Sequence, residues 1–183
     1  MKSKLRLTAT PLIATTVLIA LAALTGCAQT VSLEPAADAE NAGCAEIMVR
    51  LPDTVGGLPL RETNAQATGA WGSPASVLLR CGVAIPDRAS TLPCVLVDDV
   101  YWLRDDADAP NYVFTTYGRE PATEVIVNRD EISPGSALFD LVNSVSATTE
   151  TAKCTEIEDS LGAPTETTET PAPTETPSPT PAS

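Results

Sequence analysis

Ala75-Ser76-Val77-Leu78-Leu79-Arg80-Cys81-Gly82-Val83 alternates along its length. Successive side chains of an extended strand point to opposite faces, so Ala75, Val77, Leu79, Cys81 and Val83 share one side. Ser76, Arg80 and Gly82 lie on the other. This period of two commits the centre of the chain to β structure with one buried face.

The neighbouring stretches extend that sheet. Residues 94–97 and 100–104 are rich in apolar side chains and flank Asp98-Asp99, a pair suited to a tight hairpin turn. Residues 111–117 are aromatic and β-branched. Gly118-Arg119-Glu120-Pro121 turns the chain into residues 122–128, where Val125 and Val127 alternate with Glu124 and Ile126. Strands joined by connections this short are antiparallel in the simplest topology. About four to five strands result.

A helix is predicted on each side of this centre. Cys44, Ile47, Met48 and Leu51 recur at the i, i+3, i+4, i+7 spacing of an amphipathic helix, which Pro52 ends. Residues 53–70, with two glycines and a proline, read mostly as loop. Near the other end, Ser133 is a good N-cap and Pro134 suits the first helical position. Leu138, Leu141, Val142 and Val145 then form a second apolar stripe. The expected fold is α+β: an antiparallel sheet covered on one face by the N- and C-terminal helices, and stapled by disulfides.

Outside this domain, residues 1–26 have the form of an export signal. Lys2, Lys4 and Arg6 precede an apolar run that ends in the small residues before Cys27. Leu24-Thr25-Gly26-Cys27 resembles the bacterial lipobox, in which the Cys thiol receives a diacylglyceryl group and the peptide is cut just before it. The resemblance implies lipidation of Cys27, a membrane partner held through that lipid, and a location on the extracytoplasmic face of the membrane. Pro11 and several threonines make the run a poor permanent span, which needs about 20 apolar residues. Residues 27–42 read as a flexible tether, 43–158 as the domain, and 159–183 as a disordered Pro/Thr/Glu-rich tail with almost nothing to bury.

Charge and cysteine content narrow the function. The signal holds three of the eleven cations and none of the 24 acids, so the mature chain carries eight against 24, a net charge of −16. That balance argues against nucleic acid as a partner. With Cys27 assigned to the lipid, Cys44, Cys81, Cys94 and Cys154 suggest two disulfides, for which three connectivities are open. Spacing favours Cys81–Cys94 and Cys44–Cys154. With no His and no C-x-x-C pair, a zinc site is not expected, no cofactor motif is present, and no residues are assigned to a metal. Asp105, Asp106 and Asp108 fail the EF-hand pattern, because the next ligand position falls on Pro110.

The absence of His also excludes Ser-His-Asp and Cys-His nucleophiles. Paired carboxylates remain open to a hydrolase, although nothing marks two of them as facing each other. The main expectation is a non-catalytic binding or accessory module of the cell envelope, with an envelope ligand or protein as partner. A carboxylate-dependent enzyme and a passive spacer are the alternatives. Trp102, Tyr117 and Arg119 fall near one end of the expected sheet and are candidate binding residues, as is Arg80.

Trp71-Gly72, Leu79-Arg80-Cys81-Gly82-Val83, Cys94, Val100-Tyr101-Trp102 and Thr116-Tyr117-Gly118-Arg119-Glu120-Pro121 occur in this order. The arrangement resembles a family of actinobacterial envelope lipoproteins, the domain of unknown function numbered 3515. The resemblance runs over roughly residues 44–145. It implies export and a lipid anchor, and it carries over no catalytic residues.

Overall fold

The computed structural model describes residues 29–157. The signal, Cys27 and the residues from 158 onward lie outside that range. The described chain runs α1 (Ala42–Met48), β1 (Thr54–Val55), β2 (Leu58–Arg61), β3 (Thr68–Trp71), β4 (Val77–Val83), β5 (Cys94–Val97) and β6 (Val100–Asp105). It continues through β7 (Asn111–Thr116), β8 (Arg119–Glu120), β9 (Ala122–Asn128), α2 (Pro134–Val145) and β10 (Thr149–Glu150). Eight strands form one antiparallel sheet in the order β1-β2-β3-β4-β9-β7-β6-β5, and β8 pairs with β10 beside it. The fold is α+β as expected, with more strands than the four or five predicted.

Strand alternation decides what each face does. Val77 and Leu79 of β4, Val125 and Val127 of β9, Phe114 of β7 and Trp102 of β6 point to one face and are buried there. Against them pack Ala137, Leu138, Leu141 and Val145 of α2. Each fully buried side chain of this size contributes roughly 1.5–3 kcal/mol relative to exposure. Trp71 joins the same core, and its indole N–H donates to the Pro52 carbonyl (3.0 Å) where α1 gives way to β1.

Both helices lie on this face. Ile47 and Cys44 of α1 pack with Cys81 of β4, and Ser144 of α2 donates its hydroxyl to the Arg50 carbonyl just past α1 (2.7 Å). Ser133 sits at the N-cap of α2, but its side chain makes no capping bond there. The carboxylate of Asp140 instead anchors the β1–β2 turn, accepting from the Gly56 amide (2.7 Å).

Two expectations about 28–70 are corrected. Residues 53–70 hold β1, β2 and most of β3 instead of a loop. From Gln29 onward, the stretch expected as a tether is laid against the sheet: Val31 bridges Thr63, and the Asp38 amide donates to the Gly82 carbonyl (3.0 Å). Gly82 permits that approach. Its φ is +90°, and a Cβ there would sit 2.3 Å from the Asp38 carbonyl carbon.

The disulfide pairing is also corrected. Cys44 bonds Cys81, and Cys94 bonds Cys154. Cys81 and Cys94 lie close in sequence but on β4 and β5, with three strands between them. At about 4.8 Å per strand that is roughly 19 Å, far beyond disulfide reach. They also face opposite sides, since Cys81 lies with Leu79 on the covered face and Cys94 pairs with Leu103 on the other. Closing these loops constrains the unfolded chain by about 4 kcal/mol each on the chain-entropy model. The two bonds also place the domain in an oxidising compartment, outside the cytoplasm. Among the described residues, no helix is long and apolar enough to cross a membrane.

Candidate functional site

The face away from the helices is open. Register places its residues in two rows across the strands. One runs Arg80 (β4), Glu124 (β9), Thr115 (β7), Leu103 (β6), Cys94 (β5). The other runs Leu78, Ile126, Val113, Asp105 over β4, β9, β7 and β6. The first row is charged and polar at its β4 end, and the second is mainly aliphatic. Leu78, Ile126 and Val113 are half-buried although no helix covers them.

Two segments turn the first row into a cleft of about 620 Å³. Residues 35–37 of the docked arm form one wall, and Pro86, Asp87 and Leu92 of the β4–β5 connection form the other. The floor is Arg80, Glu124, Thr115 and Leu103. A smaller cleft of about 240 Å³ continues past Leu92 and Leu103 to Tyr117 and the Cys94–Cys154 bond. The second disulfide thus pins the C-terminal segment at the cleft's far end.

The floor charges are paired. Arg80 donates from Nε and Nη2 to the same Glu124 oxygen, Oε1 (2.9 and 2.6 Å). Among the described residues, Arg80 Nη1 and Glu124 Oε2 have no hydrogen-bond partner. The floor therefore offers a donor fork and an acceptor side by side, with the Thr115 and Ser90 hydroxyls and apolar walls around them. A guanidinium held this way is pre-organised to add a planar polar group without losing its own partner.

Two of the four sequence candidates, Trp102 and Arg119, lie away from this surface. Trp102 is fully buried on the covered face, with its indole nitrogen unpartnered among the described residues. Arg119, in β8, is buried and donates to the carbonyls of Thr148 and Asp99. Burial pushes its pKa below the ordinary value, against the upward pull of Glu150 and Asp99. It holds the fold together there. Tyr117 lines the smaller cleft, and Arg80 lies on the main floor.

Glu124, the arm and the 84–92 connection were not legible as site residues. Glu124 becomes Arg80's partner only once β9 is known to sit beside β4, and sequence order places β9 five strands later. Among the described residues, no three Cys, Asp or Glu side chains converge as a metal site.

No curated protein matches the chain, and no solved structure does. The model of the family described as protein of unknown function (DUF3515) matches residues 8–154, a longer span than the motif-bearing region. That match covers most of the 183 residues, and the chain belongs to this family.

Proposed function

We propose that this is an exported lipoprotein, anchored through Cys27 to the extracytoplasmic face of the membrane, that binds an envelope ligand non-catalytically on its open sheet face. The actinobacterial envelope is the setting that the family resemblance implies. The observation that carries the binding reading is the walled cleft over Arg80 and Glu124, on a sheet whose other face packs against the helices. A spacer has no need for such a surface. A hydrolase would need two free carboxyl groups across the cleft, whereas Glu124 is engaged by Arg80.

Site-specific photo-crosslinking in whole cells tests the reading. A photoreactive side chain at Thr115, on the cleft floor, is expected to capture a discrete envelope component. The same group at Asn143, exposed on the outer side of α2, is expected to capture none. Equal labelling from both positions, or none from Thr115, contradicts a cleft-borne function. The anchor is tested separately: Cys27→Ser is expected to remove the protein from the membrane fraction or leave the precursor uncut.

A further inference from the structure

The docked arm fixes where the anchor must emerge. The Arg61 guanidinium donates to the Gln29 carbonyl and also to Gly72. Val31 then bridges Thr63, and Leu33 donates its amide to the Asn64 side chain (2.7 Å). Cys27 lies two residues before Gln29, and two residues of chain reach at most about 7 Å. A lipid on Cys27 therefore starts at the edge of the domain beside the C-terminal end of β2, with no spacer between them.

That edge carries apolar surface that the fold leaves open. A groove of about 590 Å³ runs between the end of α1 and β2, lined by Met48, Leu51, Pro59 and Leu60, with Arg61 and Thr63 on its border. Leu60 is 40% exposed, and Val49, which follows Met48, is 78% exposed. Arg61 and Thr63, which hold the arm, are thus part of the groove beside which the lipid emerges. The charges here are mixed: Arg50 is paired with Glu46, and Asp53 and Glu62 flank the groove. In a mature chain of net charge −16, attraction to a lipid surface has to come from apolar contact.

We propose that Val49, Leu60 and the groove between α1 and β2 form the face on which the domain rests against the lipid bilayer, oriented by the short link to Cys27. The proposal rests on the lipoprotein reading and adds an orientation to it. The domain lies on the membrane with one edge in the headgroup layer, instead of moving freely above it. The cleft over Arg80 is on the opposite side of the sheet from α1 and stays clear of the lipid.

Depth-dependent quenching tests this, because the native Trp71 and Trp102 are both fully buried and give a constant background. Lipidated full-length protein carrying Leu60→Trp is reconstituted into vesicles of brominated or unbrominated phosphatidylcholine. The added tryptophan is expected to lose about half its emission with brominated chains, as a side chain seated at the headgroup–acyl boundary should. Leu92→Trp, beside the cleft, is expected to lose almost none. Val49→Trp gives the same readout should Leu60→Trp fail to fold.

Flotation with the vesicles reads the anchor independently. Protein that floats while Leu60→Trp and Val49→Trp stay unquenched overturns the proposed face and leaves the anchor standing. Protein that does not float overturns the anchor, and the proposed orientation with it. Dimerisation of a form starting at Ala28, abolished by Leu60→Glu, assigns the face to a second copy and also overturns the proposal.

Discussion

The two faces of the sheet are built from the same strands and do opposite things. On β4, Val77, Leu79 and Cys81 enter the helix-covered core, while Leu78 and Arg80 face the open side. On β9, Val125 and Val127 are buried, and Glu124 and Ile126 line clefts. Each face also has its own disulfide. Cys44–Cys81 clamps α1 beneath the core, and Cys94–Cys154 holds the C-terminal segment beside the cleft. The difference teaches that side-chain parity divides core positions from cleft positions; on the proposed function, stability and recognition separate the same way, so substitutions one residue apart should have very different effects.

The largest expected effect is on the covered face. Trp102→Ala removes a fully buried indole and is expected to cost about 3–5 kcal/mol, read as a lower denaturation midpoint. A loss below about 1 kcal/mol would break the comparison, because the covered face would then not carry the core.

Gly82→Ala comes next, at the point where the arm crosses the end of β4. An added Cβ meets the Asp38 backbone, and the residue must hold φ near +90°. A cost of about 1–3 kcal/mol is expected. Protection from hydrogen exchange at the Asp38 amide should fall with it, because that amide donates to Gly82. Unchanged protection at Asp38 would mean that the arm is not held there.

Leu96→Ser is the smallest test. Leu96 is 39% exposed on the open side of β5, and its immediate neighbours Val95 and Val97 are buried. Stability is expected to change by less than about 0.5 kcal/mol, whereas Val95→Ser should unfold the protein at much lower denaturant.

How far the sequence predicts this division depends on the range of each interaction. The alternation of 75–83 identifies β4 and its buried face, and Asp98-Asp99 does close the β5–β6 hairpin, because both are local. Pro134 and the Leu138–Val145 spacing mark α2 for the same reason. The arm escapes detection because it is held by one bridge and a few backbone and side-chain hydrogen bonds, which leave no apolar period. β1 is two residues long, too short to show alternation. Disulfide pairing and the Arg80–Glu124 contact depend on strand order, and order is set by the whole core. Trp102 and Arg119 drew attention as chemically rich residues, yet parity and burial give both to the fold.

The most direct test of the central claim, that the open face recognises while the covered face stabilises, is Arg80→Ala in the Thr115 photo-crosslinking background. Arg80 and Glu124 are only partly exposed, but their pair lies at the surface of the cleft. Losing it is expected to cost about 1 kcal/mol, a shift of about 4 °C in Tm. Capture by Thr115 is expected to fall at least about tenfold, the equivalent of roughly 1.4 kcal/mol of binding. Undiminished capture with the fold intact would contradict the claim, and so would a collapse of Tm that accounts for the loss.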